Sequence, residues 1–352
     1  MSSETIDFSV DGLGLSPQAY SLELTKLAEE GQIEPDYYSV GGTVTALEEQ
    51  FAALLGKESA VFMPTGTLAN LMAVRRLAGN DRRVLVQAES HLYNDSGDCA
   101  GVLGGLTLIP LAPTQATVTL DEVKLWVERT ASARVETRIG VISIESPVRR
   151  KYHEMFDFEE MKKICAYARE HNILLHLDGA RLFNVPYHSG RKIEEFTSLF
   201  DTVYISLWKC FNASAGAILA GSRQHMEGLF QVRRMFGGSP AQAWPIIAVA
   251  RRYAIGYLDE YSRAWKIASP FLAALQRDDR FAVERVVNGT SAFKMRVHGI
   301  SPEALAERLR SRNIVLPHAD STTGVFRMIV NTSLNRADPD ALARAFAAAA
   351  RE

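Results

Sequence analysis

Two short apolar runs, each stopping at a reactive polar residue, constrain this chain more than any other feature. Ile173 to Leu177 halts at Asp178 in HLDGARLFN, and Val203 to Leu207 halts just before Lys209 in YISLWKCFNASAGAILAG. Runs of that length bounded by turn formers read as buried strands. In an open α/β sheet, ligands bind outside the carboxyl ends of the strands, so a carboxylate and an amine there would face one pocket. Each residue alone has an ordinary reading, since a strand-end Asp forms turns or caps and a lone Lys is a solvated charge. As a pair they meet the two needs of pyridoxal phosphate (PLP): an anion to keep its pyridine nitrogen protonated and a lysine to form a Schiff base with its aldehyde.

The rest of the chain supplies the sheet. Strand-like runs recur at SAVFMP (59–64), RVLVQA (83–88), LTLIPLA (106–112) and RIGVISIES (138–146), with helical patterns between them. One helix is LDEVKLWVERTAS. Another starts at Asp157 as N-cap and carries Phe158, Met161, Ile164, Cys165 and Ala168 on one face. Alternating strands and helices argue for βαβ units and a mostly parallel sheet. Ahead of these, residues 17–31 read as a short helix ending at Gly31. Thr43 or Thr45 reads as the N-cap of a helix striped by Leu47, Phe51 and Leu54. After SAVFMP, Gly66 permits a sharp turn and Thr67 opens a helix whose first N–H groups can hold a phosphate. The turn is neither a Walker loop nor GxGxxG, which disfavours a nucleotide. His91 follows the run around Val86 on the same sheet edge as Asp178 and Lys209, where a flat imidazole can stack on a pyridine ring.

Beyond Gly221 the pattern is helical, broken by Gly237, Gly238 and Pro240 into a first helix, a turn and a long second helix. A smaller α+β unit then takes strands from AFKMRVHG, NIVLPH and VFRMIVNT and helices at 302–312 and 338–350. Arg327 lies in the last of these strands, and its planar fork suits a substrate carboxylate. The expected organisation is an arm (1–16), a large cofactor-binding domain (17–250) and a small C-terminal domain (251–352).

Charge and composition narrow the partners. A formal net charge of -2, with no block of like charges, gives no electrostatic footprint for nucleic acid. No run approaches a membrane span, and MSSETIDFSVDGLG has acids where a signal peptide has a basic segment. Cys99, Cys165 and Cys210 are too few and scattered for disulfides or a zinc ribbon, so a reduced cytoplasmic enzyme without a metal is expected. Cys165 reads as core, while Cys210 can line a pocket or simply pack.

At this point a family likeness is legible. HLDGARLFN resembles the aspartate motif of the threonine aldolase and β-eliminating lyase family, among the fold type I PLP enzymes. The likeness runs through LEEQFAALLGKESAVFMPTGTLAN, SHLYNDSG, ICAYAREHNILLHLDGARLFN, SLWKCFNASAGAILAGS and RRMFGG, covering roughly 40–240. It implies a PLP-transferase-like fold with a mostly parallel seven-stranded sheet, helices on both faces and a small C-terminal α+β domain. By this resemblance Lys209 would bind the aldehyde and act as base, Asp178 would pair with the pyridinium, and His91 would stack on the ring. Gly66, Thr67 and Ser206 would hold the phosphate. Arg181 would lie near the phenolate and the substrate carboxylate, and Arg327 would bind that carboxylate. Tyr38 would reach into a neighbouring subunit's site, implying a homo-oligomer, either dimer or tetramer.

The implied activity is that of a lyase acting on an amino acid, most simply an aldolase cleaving a β-hydroxy-α-amino acid such as threonine to glycine and an aldehyde. β-Elimination, transamination or racemisation on the same cofactor, and a non-catalytic scaffold, are the alternatives. One loop departs from the resemblance. Where the family reads E-N-T-H followed by a glycine pair, this chain reads Glu145-Ser-Pro-Val148, then Arg149, Arg150, Lys151, Tyr152 and His153. His153 or the basic run can supply an acid/base group or bind an anionic side chain. The run also reads as a solvated basic loop.

Overall fold

The computed structural model describes residues 5–351. The expected arm therefore falls partly outside the described residues, and what is described of it enters as a two-residue strand, β1 (Ile6–Asp7). Seven strands follow in one sheet: β2 (Ser59–Met63), β3 (Arg83–Gln87), β4 (Thr107–Leu111), β5 (Ile139–Glu145), β6 (Leu174–Asp178), β7 (Thr202–Ser206) and β8 (Ala217–Gly221). Their order is β2-β8-β7-β6-β5-β3-β4, with β8 antiparallel to both neighbours and the other pairs parallel. A second sheet contains β9 (Phe281–Arg285), β10 (Ala292–Val297) and β12 (Phe326–Ile329) in antiparallel order β12-β10-β9, while β11 (Ile314–Val315) pairs in parallel with β1.

Alternation along the central strands sorts side chains into two cores. Leu175, Leu177, Val203 and Ile205 face a core that takes Met161, Ile164, Cys165 and Ala168 from the helix Phe158–Glu170. On the opposite face, Tyr204 and Leu219 meet Ala69, Leu71, Met72 and Ala73 of the helix Gly66–Ala78. Helices thus cover both faces, as the fold type requires. Asp157 caps its helix as expected, accepting from the Glu160 N–H at 2.8 Å.

Four local expectations are corrected. The helix Gly42–Leu54 has Gly41, not a threonine, at its N-cap, with φ of 83° that only glycine adopts freely. Thr43 instead bonds the backbone of Glu34 through its hydroxyl. The helix after SAVFMP begins at Gly66 with Thr65 as its cap. The long helix is two, Trp244–Ala254 and Tyr257–Gln276, separated at Gly256 in a left-handed conformation. The NIVLPH run gives only the two residues of β11, with Pro317 lacking an N–H for further pairing.

The arm is held as part of the core. Phe8 is fully buried, with ring centroids of Phe271, Phe293 and Phe346 at 5.8, 6.4 and 6.0 Å. Its N–H bonds Val315 and its carbonyl accepts from Ile329, while the Asn331 amide donates to the carbonyls of Asp7 and Val10. Phe8→Ala is expected to cost about 3–5 kcal/mol, the usual penalty for an emptied aromatic site. Urea unfolding would measure it, and an unchanged midpoint would show that the arm is dispensable to the core.

Candidate active site

The strand register brings the reactive residues to one level. Glu145 at the end of β5 lies opposite Asp178 at the end of β6, and Asp178 lies opposite Tyr204 on β7. Asp178 is buried and accepts from the Asn70 amide at 2.6 Å and from the Ala180 N–H at 3.1 Å. Through its Oδ1 the same Asn70 accepts the His176 Nε2–H at 2.9 Å, and His176 Nδ1 lies 2.9 Å from the Thr202 hydroxyl. His176 and Asp178 share a strand face, so Asn70 on the covering helix spans both. This chain fixes the orientation of the Asp178 carboxylate.

Glu145 takes a different environment. Its two carboxylate oxygens accept the His91 N–H (2.6 Å) and the Arg149 N–H (2.8 Å), so it ties two loops to the strand end. Burial and the neighbouring Asp178 hold its carboxyl above the ordinary range. His91 opens the short helix His91–Asn94, and its Nδ1 is buried without a partner. Burial also depresses the His91 pKa, favouring a neutral ring.

Lys209 lies three residues past the end of β7 and is 7% exposed. Burial, reinforced by the Arg181 charge, lowers its pKa to about 8. Its Nζ sits 5.3 Å from the centroid of Trp208, a ring that is half exposed. Arg181 is buried and held by Asp11 of the arm, through Nε to Oδ1 at 2.7 Å and Nη2 to Oδ2 at 2.8 Å. Burial would raise the Asp11 pKa, but the Arg181 charge and hydrogen bonds outweigh it and keep the carboxylate ionised. One edge of the Arg181 fork, Nε and Nη2, is thereby committed, leaving Nη1 for a ligand.

Arg327 on β12 donates to the Arg149 carbonyl, and its Cζ lies 5.3 Å from the Tyr152 ring centroid. Burial and the Arg181 charge lower its pKa to about 10, so it remains a cation at neutral pH. Its cross-strand partner Lys294 also packs on Tyr152, at 5.0 Å. The basic run is not a free solvated loop: Arg149 and Arg150 both pair with Asp95, at 2.8 and 3.1 Å, beside the His91 helix. Tyr152 and His153 occupy left-handed backbone at φ of 52° and 58°, which costs non-glycine residues about 1–3 kcal/mol each. Val148, where the family's loop histidine falls, is fully buried.

Tyr38 is not brought into this group within the chain. Its N–H bonds Ala241, its ring lies under the Arg234 guanidinium at 4.3 Å, and its loop is anchored where Asp36 caps Ala243 and Trp244. The reading from sequence missed Asn70, Glu145 and Asp11. His176 two residues before Asp178 signalled a same-face pair, but no local pattern pointed to Asp11, distant in sequence from Arg181.

These residues fit PLP. Ser206 Oγ is buried with no partner, an acceptor and donor awaiting a polar group. At Gly66 a Cβ would come 2.0 Å from the Tyr204 hydroxyl, so only glycine lets the helix start approach β7. Backbone N–H groups at that start suit a phosphate, Asp178 suits a pyridinium, and a lysine with a lowered pKa suits an aldehyde. Fold and site together define a fold type I PLP enzyme.

Sequence comparison agrees. The profile of the beta-eliminating lyase family matches residues 26–332. A low-specificity L-threonine aldolase of Escherichia coli K12 is 29% identical over 327 residues, 91% of this chain and 92% of that protein. A candidate L-allo-threonine aldolase of Listeria monocytogenes superposes with a TM-score of 0.81 at 25% identity, over 99% of this chain and 96% of its own. A candidate aromatic amino acid beta-eliminating lyase/threonine aldolase from Exiguobacterium gives 0.82 at 24%, over 99% and 98%. The chain belongs to the beta-eliminating lyase family and is a lyase with PLP as its cofactor.

In the cofactor-free protein, acylation of Lys209 by an amine reagent, followed by peptide mass spectrometry, is expected to rise with pH through a midpoint near 8. The neutral amine is the reactive form, so labelling falls away below that pH. A midpoint at the ordinary lysine value near 10.4 would contradict the buried, cation-flanked placement.

Proposed function

We propose that this lyase is an aldolase that cleaves a β-hydroxy-α-amino acid of the threonine type to glycine and an aldehyde. The observation that carries the reading is the convergence of Asp178, Lys209 and the unpartnered Ser206 hydroxyl at one sheet edge, with the Arg181 charge close enough to act on both Lys209 and Arg327. The threonine aldolase relatives support the reaction class.

Bound PLP supplies an electron sink for the bond broken at Cα. Asp178, its carboxylate aimed by Asn70, would keep a proton on the ring nitrogen. Ser206 and the N–H groups of Gly66 and Thr67 would grip the phosphate, and His91 would stack on the ring. Lys209 delivers and removes the proton at Cα, a role its lowered pKa suits at neutral pH. Arg327 receives the substrate carboxylate. Arg181, locked by Asp11, offers its one free edge to the phenolate and that same carboxylate.

The assembly is read as a homo-oligomer, with Tyr38 reaching a neighbour's site. In its support, Tyr37, Val40 and Met235 are large apolar side chains left exposed around the Tyr38 loop, and Trp208 is half exposed beside Lys209. Residues 17–250 are read as the cofactor-binding domain and 251–352 as the domain that brings Arg327. No helix among the described residues is long and apolar enough to cross a membrane.

Purified protein supplied with PLP is expected to release glycine and an aldehyde from a panel of β-hydroxy amino acids. Release of ammonia and a keto acid instead would make β-elimination the reaction. Arg327→Lys is expected to raise KM about tenfold or more with kcat within about threefold, because a point charge replaces a bidentate fork. Light scattering is expected to give a mass of at least two chains.

A further inference from the structure

Aldol cleavage needs a group that accepts the β-hydroxyl proton as the Cα–Cβ bond breaks, and this chain has Val148, buried and apolar, in place of the family's loop histidine. The other groups at the strand ends have little capacity left. Both Glu145 oxygens accept backbone N–H groups, Asp178 accepts from Asn70 and Ala180, and Asp11 is consumed by Arg181. Two imidazoles retain an uncommitted nitrogen in this neighbourhood, His91 and His153. His91 is taken by stacking in the reading above.

His153 is fully buried, and its charged neighbours are Arg181, Asp11, Arg327 and Lys209. It is held firmly. Its Nδ1 lies 2.8 Å from the Ser291 hydroxyl, and its carbonyl accepts the Thr290 N–H at 2.9 Å and the Thr290 hydroxyl at 3.1 Å. Behind Ser291, the Asn184 amide donates to Ser291 Oγ at 3.4 Å, and Asn184 Oδ1 accepts the Tyr257 hydroxyl at 2.8 Å. A buried polar network is thus built behind one ring nitrogen, while the other, Nε2, has no partner. A buried nitrogen left without a partner is unfavourable, and such an atom calls for an explanation, a catalytic use among them.

We propose that His153 is the acid/base residue for the β-oxygen of the substrate, with Nδ1–H donated to Ser291 and Nε2 facing the hydroxyl. The inference rests on the aldolase reading. In the cleavage direction Nε2 takes the β-hydroxyl proton, and the O–H electron pair becomes the second bond of the aldehyde carbonyl. The Cα–Cβ bond breaks with its pair left on Cα, where a proton from Lys209 completes glycine. His153 then loses its proton to solvent. Burial and the Arg181 charge depress its pKa well below the ordinary value, so the ring is neutral, the state a proton acceptor needs. The left-handed backbone at residue 153, which asparagine tolerates better than histidine, is retained although it is strained.

The test uses His153→Gly, which relieves the backbone and opens a space of imidazole size, with His153→Asn as a second variant suited to the same φ. Both are expected to take up PLP with the wild-type visible spectrum. Both should exchange the Cα hydrogen of glycine for solvent deuterium at near the wild-type rate, since that step needs no β-hydroxyl. Cleavage should fall at least about 100-fold, in the range lost with a general base, and imidazole in the buffer should restore it at least about tenfold in the glycine variant. Nitrogen-15 NMR of the cofactor-free wild type, assigned by the signal missing from His153→Gly, should show Nδ1 protonated and Nε2 bare. Cleavage by His153→Gly within threefold of wild type would overturn the assignment and transfer the role to His91. Equal loss of cleavage and exchange without imidazole rescue would make His153 structural, and a protonated Nε2 would also overturn the proposal. Wild-type protein that exchanges glycine but releases no aldehyde would instead sink the aldolase reading, and this one with it.

Discussion

Two carboxylates stand side by side at the ends of β5 and β6, in register and out of water, and much of the site is arranged around keeping them distinct. Burial and the Asp178 charge beside it push the Glu145 carboxyl up. Asp178 receives a side-chain amide and one N–H, and its amide partner is itself braced by His176 and Thr202. Glu145 receives two backbone N–H groups from the loops that carry His91 and Arg149. One carboxylate is thereby aimed outward at a ligand, and the other is turned into a fastener for the loops around it.

The arginines follow the same logic of assigned partners. Arg181 is buried deeply enough that an unpaired guanidinium would be untenable, and the arm's Asp11 neutralises it with two bonds. Arg327 bonds the Arg149 carbonyl and lies against the Tyr152 ring, and among the described residues it makes no ion pair, so it is the guanidinium with charge to offer an incoming anion. The loop from Ser146 to His153 therefore holds Arg327 in place and also lies next to His91 through Asp95.

How much of this could be read from the chain depended on how local each signal was. Asp178 and Lys209 were legible because an apolar run ending in a charged residue marks a strand end, and the sheet puts strand ends together. The mostly parallel sheet and the Asp157 cap were legible for similar reasons. Asn70 was not, because a polar residue in a helical pattern gives no hint that a strand carboxylate faces it. Asp11 was not, because its partner lies far along the chain. The Thr43 or Thr45 cap failed because Gly41, at positive φ, turns the chain into the helix earlier and without a side-chain cap. Tyr152 and His153 stood out as glycine replacements, but only their backbone angles and the bare Nε2 give the replacements a physical meaning.

The pairing of β1 with β11 also sets an order of events. The arm's strand and Phe8 dock against β11, Phe271, Phe293 and Phe346, all far along the chain. Gly12, which follows on the arm, packs so closely against the Lys209 carbonyl and Asn212 that a Cβ there would come within 2.6 Å of the first and 2.3 Å of the second. The large sheet can therefore form while Arg181 still lacks its counter-charge and the lysine loop lacks its cover. Contacts of such long sequence separation form slowly, since chain closure precedes their reward. The pocket is thus completed only when distant parts of the chain have come together, and the sheet alone is not yet a working site.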